Sequence, residues 1–198
     1  YLDKPQPRVI GTVLDVALYP ADGRAVTKGD YLIENRTNAP LTEIHVELPD
    51  DTKFEVLDID GARLSQEFKT YNYRIYAFAT PMAVGEQRHI RFRSELWQHG
   101  FRNSGNQTSI LENGTFLNNM AISPVIGVSR RSFLQDPAAR RRQGLSAQLR
   151  MPKLEDKTAG TSSYLRPDSD WVSSDITVST SADQTPIAPG YVVSDETK

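Results

Sequence analysis

Strict two-residue alternation, in segments too short for helices, is what most limits the folds open to this chain. In Thr42-Glu-Ile-His-Val-Glu-Leu48, Ile44, Val46 and Leu48 fall on one side and Glu43, His45 and Glu47 on the other. Successive side chains of a strand point to opposite faces, so this pattern predicts a strand with one buried face. The same reading applies to 87–97, where Ile90, Phe92 and Leu96 oppose His89, Arg91, Arg93 and Glu95. It applies again to 171–180, with Ile176 and Val178 inward and Asp175, Thr177 and Ser179 outward.

Further strands are expected over 8–18, 25–37, a short stretch at Phe54, Val56 and Leu57, the aromatic-rich 72–79, and 108–118 interrupted at Asn113-Gly114. Turns at 19–23, 49–52 and Asp60-Gly61, the last of hairpin type, and a loop over 81–86 separate them. A final strand over 185–193 carries Pro186 and Pro189, which would confine it to an edge or a bulge. After Gly127 the character changes. Ser129 can cap a short helix over 130–135, and Asp136-Pro137 opens a second over 137–143 that Gly144 stops. An irregular connector over 145–170 follows, and 194–198 reads as a frayed tail. The expected fold is mainly β: an antiparallel β-sandwich or saddle-like sheet with one or two short helices around 129–144, forming a single β domain over 1–193. The opening Tyr-Leu-Asp-Lys-Pro reads as a cut inside a longer protein.

At 198 residues the chain is long enough for one substantial core. A hydrophobic fraction of 38% and mean hydropathy of −0.50 describe a polar globular chain. Net charge of −2 argues against nucleic acid as a partner, and Arg140, Arg141 and Arg142 read as a solvated helix end. No apolar run is long enough to insert into a membrane. The absence of cysteine excludes disulfides, thiolate metal sites and cysteine nucleophiles.

His45, His89 and His99 show no paired spacing on a helix and read as exposed strand histidines, so no metal site is expected in this chain. Asp156, Asp168 and Asp170 read as solvated loop acids. Sequons at Asn35, Asn106 and Asn113 read as turn chemistry. Tyr71 and Tyr73 share one face of a strand and Tyr76 and Phe78 the other; one set belongs to the core. The other is the basis of an alternative reading, a stand-alone carbohydrate- or peptide-binding sandwich, because exposed tyrosines suit stacking. A hydrolase using loop carboxylates is the third reading.

Asn113-Gly-Thr-Phe-Leu-Asn-Asn119, Ile122-Ser-Pro-Val-Ile-Gly127, Arg142-Gln-Gly144-Leu145, Arg150-Met-Pro152, Asp170-Trp171-Val172 and Val178-Ser-Thr-Ser-Ala-Asp-Gln184 with Ile187-Ala-Pro-Gly190 come in an order that resembles a bacterial family. Its members look like fusions of an ABC-2-type transporter permease with an extracytoplasmic M1 (gluzincin) aminopeptidase-like region. The resemblance is to the amino-terminal β domain of that region and is strongest over 70–190. It implies a non-catalytic domain that packs on, and shapes the cleft of, a neighbouring zinc peptidase-like domain. Zinc and the general-base glutamate would belong to that neighbour, with no cofactor or catalytic residue here. The parent would be a possible zinc aminopeptidase, held in the inner membrane by permease segments of the same polypeptide and displayed in the periplasm. At Tyr164-Leu-Arg-Pro-Asp-Ser-Asp-Trp171 the family's Phe-Pro-Cys-like segment and the preceding substrate-amine-binding Gln or Glu are not matched. Tyr164, Arg166, Asp168 and Trp171 are the expected contacts with the neighbouring domain.

Overall fold

The structure is a computed structural model describing residues 1, 4–98, 109–129, 133–147, 155–157 and 171–197. Two compact units are present, one of Tyr1–Val128 with Val172–Lys198, the other Ser129–Trp171.

Among its described residues the first unit has eleven strands and one short α-helix: β1 (Arg8–Tyr19), β2 (Arg24–Glu34), β3 (Leu41–Glu47), β4 (Thr52–Ile59), β5 (Ala62–Phe68), β6 (Tyr73–Met82), β7 (Gln87–Trp97), β8 (Ile110–Leu111), β9 (Gly114–Thr115), α1 (Asn119–Ile122), β10 (Val125–Ile126) and β11 (Ser173–Ser179). One sheet has the order β11-β1-β2-β7-β4, the other β10-β3-β6-β5, and β8 and β9 form a separate small hairpin. Every pairing is antiparallel except that of β11, which runs parallel to β1 with Leu14 opposite Ile176 and Val16 opposite Val178. The mainly β, sandwich-like architecture expected from the alternation is thus the observed one, with a mixed first sheet.

The two sheets bury their facing sides. Ile33, Ile44, Val46, Met82 and Ile90 are fully enclosed, and Leu14, Leu41, Phe92 and Leu96 nearly so. Removing a Leu- or Ile-sized side chain from water contributes about 1.5–3 kcal/mol, so this layer is the main source of stability. Volumes match across the β2–β7 ladder: Ala25 faces Leu96, Thr27 faces Ser94, Gly29 faces Phe92, and Tyr31 faces Ile90. At Ala25–Leu96 and Gly29–Phe92 a small residue opposes a large one, which leaves room for the larger side chain on the inner face.

Several expectations are corrected. Asp60-Gly61 does not join a hairpin: β4 pairs with β7 and β5 with β6, so the turn carries the chain from one sheet to the other. Edge strand β5 was hidden from the pattern because Arg63, Leu64, Ser65, Gln66 and Glu67 are all exposed and no periodicity survives there. Residues 185–193 form no strand. Pro186 and Pro189 cannot donate to a ladder, and Ile187, Tyr191, Val192 and Val193 stand in solvent. Of the strand expected over 108–118, the two short strands β8 and β9 form around the Asn113-Gly114 break, and 116–118 are irregular before α1 begins at Asn119.

In the second unit a helix, α2, spans Pro137–Arg142. Asp136 caps it by accepting from the Ala139 N–H at 2.5 Å, with proline at the first helical position, as the sequence predicts. Of the helix expected over 130–135, residues 130–132 lie outside the described residues and 133–135 are not helical. Arg140 donates to the carbonyls of Leu134 and Ser146, which closes the chain around the helix.

Candidate functional site

Three of the four expected interface residues, Tyr164, Arg166 and Asp168, lie outside the described residues, as do Asp170, His99 and Asn106. Trp171 is described and is 94% exposed. The exposed apolar residues that sequence reasoning missed lie in the carboxy-terminal segment of the first unit. Ile187, Tyr191, Val192 and Val193 are 85–100% exposed. Their signal in the sequence is an apolar stretch interrupted by Pro186 and Pro189, a pattern that also fits an edge strand.

The segment is tethered just before it leaves the sandwich. Gln184 donates through Nε2 to the Glu112 carbonyl at 2.7 Å, accepts from Thr180 Oγ1 at 3.2 Å, and donates its N–H to the Ser181 carbonyl at 3.0 Å. Beyond it the prolines hold φ near the extended value and remove donors. The result is a stiff, outward strip of large apolar side chains on a chain otherwise rich in charge. Soluble surfaces expose single apolar residues routinely, whereas contiguous apolar stretches mark contact sites.

The outer face of the four-stranded sheet departs from the alternation. His45 lies on the side read as solvent-facing, yet it is fully buried. Tyr1 covers it: the ring stands edge-on to His45 at 5.1 Å, stacks on Tyr73 at 5.9 Å and reaches Phe68 at 6.3 Å. Beneath that cover runs a polar chain. Tyr73 Oη lies 2.6 Å from His45 Nδ1, His45 Nε2 lies 3.1 Å from Glu43 Oε1, and the same carboxylate oxygen meets Lys4 Nζ at 3.1 Å. Gln6 Oε1 accepts the His45 N–H at 2.8 Å. Burial pushes the Tyr73 phenol well above its ordinary value, with Glu47, Tyr1 and Glu43 adding to the shift. The hydrogen bond from His45, then that from Lys4, holds the Glu43 carboxyl below its ordinary 4.5.

A pH prediction follows from Glu43. Its folded-state pKa lies below the unfolded one, so its contribution is complete above the unfolded value and drains as pH falls through the folded value. The protein is expected to lose stability on acidification below about pH 4.5, and Glu43→Gln to flatten that part of the curve. Urea titrations of both proteins between neutral and acid pH check this. An unchanged acid limb in the variant means that other carboxylates carry it.

The outer face of the five-stranded sheet is a charge lattice. Arg91 meets Asp60 at 2.8 Å, Asp30 at 3.7 Å and Asp58 at 3.8 Å; His89 Nδ1 meets Asp30 at 2.7 Å; Arg93 meets Glu55 at 2.6 Å; Arg24 meets Glu95 at 3.1 Å. Burial alone would raise the Asp60 pKa, but the Arg91 hydrogen bond and the His89 N–H outweigh it and lower the carboxyl. Exposed pairs of this kind contribute about 0–1 kcal/mol each, so the lattice sets surface character more than stability.

The aromatic platform imagined for a sugar ligand is not what the strand presents. Tyr73, Tyr76 and Phe78 are buried, and of the four residues only Tyr71 is exposed. A cavity of about 500 Å³ does open between the β1–β2 turn and the end of β11, lined by Tyr19, Asp22, Glu112, Ser179, Thr180 and Asp183 among others. Its acids are not those the sequence singled out. Among the described residues no group of three or more His, Cys, Asp or Glu side chains is spaced to hold a metal ion. Among them, too, no helix is long and apolar enough to cross a membrane.

No family model matches the chain, and no curated protein matches it. Solved structures do. An M1 zinc metallopeptidase from Deinococcus radiodurans is similar at 15% identity over 50% of this chain and 22% of that one, with a TM-score of 0.38. A variant M1 zinc metallopeptidase from the same organism, bound to a Tyr-Ser-Ala substrate, is similar at 14% identity over 60% of this chain and 30% of that one, TM-score 0.39. Native leukotriene A4 hydrolase from Saccharomyces cerevisiae is similar at 10% identity over 46% and 15%, TM-score 0.33. The chain spans less than a third of the length of each of these.

Proposed function

We propose that this chain is a non-catalytic β domain that docks on a zinc peptidase-like domain of the same polypeptide and shapes its cleft. The observation that carries the reading is the strip Ile187, Tyr191, Val192 and Val193, which leaves the sandwich fully exposed after the Gln184 tether. Four large apolar side chains in water are unfavourable by about 1.5–3 kcal/mol each relative to burial. A docked neighbour removes that cost. The ordered motifs that resemble the amino-terminal β domain of M1 aminopeptidase-like regions name the neighbour. The setting we infer from the same resemblance is the periplasmic side of an inner membrane, next to permease segments. Zinc belongs to the neighbour in this reading, and neither nucleic acid nor lipid is a partner of this domain.

The test is binding to the downstream region of the parent gene, expressed separately. The reading expects a His-Glu-x-x-His in that region and a complex with this chain. Tyr191→Ser with Val193→Ser should weaken the complex at least tenfold, a loss of about 1.4 kcal/mol or more, with thermal stability of the isolated chain unchanged. If the two parts do not associate, or if the double variant binds as tightly as the parent sequence, the docking assignment is wrong.

A further inference from the structure

The sequence holds three Asx–Gly pairs: Asp22-Gly23, Asp60-Gly61 and Asn113-Gly114. All three share one intrinsic chemistry. The glycine nitrogen can attack the side-chain carbonyl carbon of the preceding residue, because no Cβ crowds the approach. From Asp the step expels water, and from Asn it expels ammonia. Either way a five-membered succinimide forms, which water then opens to aspartate or isoaspartate. Attack requires a free side chain and a peptide that can turn, and the structure treats the three pairs differently.

Asp22-Gly23 is clamped along its backbone. The Gly23 N–H donates to the Pro20 carbonyl at 3.1 Å, the Gly23 carbonyl accepts from Gln98 at 2.9 Å, and the Asp22 carbonyl accepts from Trp97 Nε1 at 3.1 Å. Asp60-Gly61 is clamped through the side chain. The Asp60 carboxylate accepts from Arg91 at 2.8 Å and from the His89 N–H at 3.2 Å, and the Gly61 carbonyl accepts from Ala79 at 2.8 Å. Space around both glycines is closed: a Cβ would meet Gln98 O at 3.1 Å on Gly23 and Arg88 Nη1 at 3.1 Å on Gly61. At Asn113-Gly114 the backbone restraint is the β8–β9 hairpin, in which Gly114 pairs with Leu111, and the side chain is unrestrained. Asn113 is exposed and its side chain makes no hydrogen bond among the described residues, while a Cβ on Gly114 would meet nothing within 4 Å.

We propose that Asn113-Gly114 is a self-modification site, at which the folded protein deamidates while its two Asp-Gly pairs are protected by tertiary contacts. The Gly114 nitrogen bonds to Asn113 Cγ, the carboxamide C–N bond breaks, ammonia departs with the proton from Gly114, and water hydrolyses the ring. The product places a new carboxylate beside Glu112, a residue that lines a cavity with Asp22 and Asp183. Isoaspartate also lengthens the main chain by one carbon in the tight turn joining β8 to β9. The Glu112 carbonyl, which holds Gln184, lies one residue away. Ageing therefore loosens the tether of the exposed apolar strip. None of this depends on what the strip binds.

The experiment is incubation of the full chain at mildly alkaline pH, followed by peptide mapping and isoelectric focusing. The expected result is an acidic shift of one charge, with the mass change of NH2 to OH located at residue 113, and faster protease cleavage after Gln184. Asn113→Gln should abolish the shift. Arg91→Ala should make isomerisation appear at Asp60, and in concentrated urea all three pairs should react. The proposal is overturned if folded protein leaves 113 intact while unfolded protein does not, or if Asp22 or Asp60 reacts as fast as Asn113 in the folded chain.

Discussion

Gly29→Ala destabilises the sandwich although alanine is the smallest possible addition. A Cβ on Gly29 would stand 2.1 Å from Cζ of Phe92, its partner across the β2–β7 ladder, and 2.3 Å from Cε1. The ring has no room to withdraw. It packs edge-on against Tyr31 at 5.2 Å and tilted against Phe54 at 6.1 Å. Glycine-to-alanine changes elsewhere gain about 0.4–1 kcal/mol by restricting the unfolded chain. Overpacking a filled core costs about 1–3 kcal/mol, and with a 2.1 Å approach the cost falls at the upper end, so the net effect is a loss of roughly 2 kcal/mol. Equilibrium urea unfolding of Gly29→Ala, Phe92→Leu and the pair closes a double-mutant cycle. The two changes should be less harmful together than their sum, because a smaller side chain at 92 vacates the space. Strict additivity contradicts the packing described.

Asn35 is expected to be the most sensitive polar position. It is fully buried and serves both halves of its amide. Nδ2 donates to the Met82 carbonyl at 2.9 Å and the Ala39 carbonyl at 3.0 Å, while Oδ1 accepts from the Thr37 N–H at 3.0 Å and Thr37 Oγ1 at 2.6 Å. Its main chain pairs with Glu86 and Gly85, so one residue ties the β2–β3 loop to the β6–β7 turn. Each buried group left without a partner costs about 1–3 kcal/mol. Asn35→Ala orphans several, for a loss of about 3 kcal/mol or more. Asn35→Asp should be worse: it keeps the acceptor but turns a second oxygen toward two carbonyls in a buried site. Denaturant midpoints rank the variants. A mild effect for Asn35→Asp would mean that water reaches the amide. The same burial explains why the sequon at Asn35 is structural, since a glycan cannot be accommodated on an enclosed side chain.

These two positions show where reading the chain succeeds and where it stops. The paired alternation of β7, with Ile90, Phe92 and Leu96 inward and His89, Arg91, Arg93 and Glu95 outward, is local information and was legible as it stands, whereas the burial of Arg88 on the inward side was not. So was the Asp136-Pro137 start of α2. Nothing local says that Gly29 lies under a particular phenylalanine, or that Asn35 faces a methionine carbonyl 47 residues away. His45 obeyed the alternation and still ended up buried, because Tyr1 folds over the face that period-two reasoning assigns to water. The interface residues chosen from the sequence followed family order, and three of them lie outside the described residues.

The sequence by itself determined that this chain forms strands, roughly where they lie, and which side of most of them is apolar. Those properties follow from side-chain alternation and turn chemistry over a few neighbouring residues. Tertiary structure alone decided which strands pair, that β11 joins β1 in parallel, that Asp60-Gly61 crosses between sheets, and that a proline-interrupted apolar strip stays outside the core. Pairing depends on contacts between residues far apart in the chain, whose stabilisation is shared over a whole sheet and leaves no mark on any short segment.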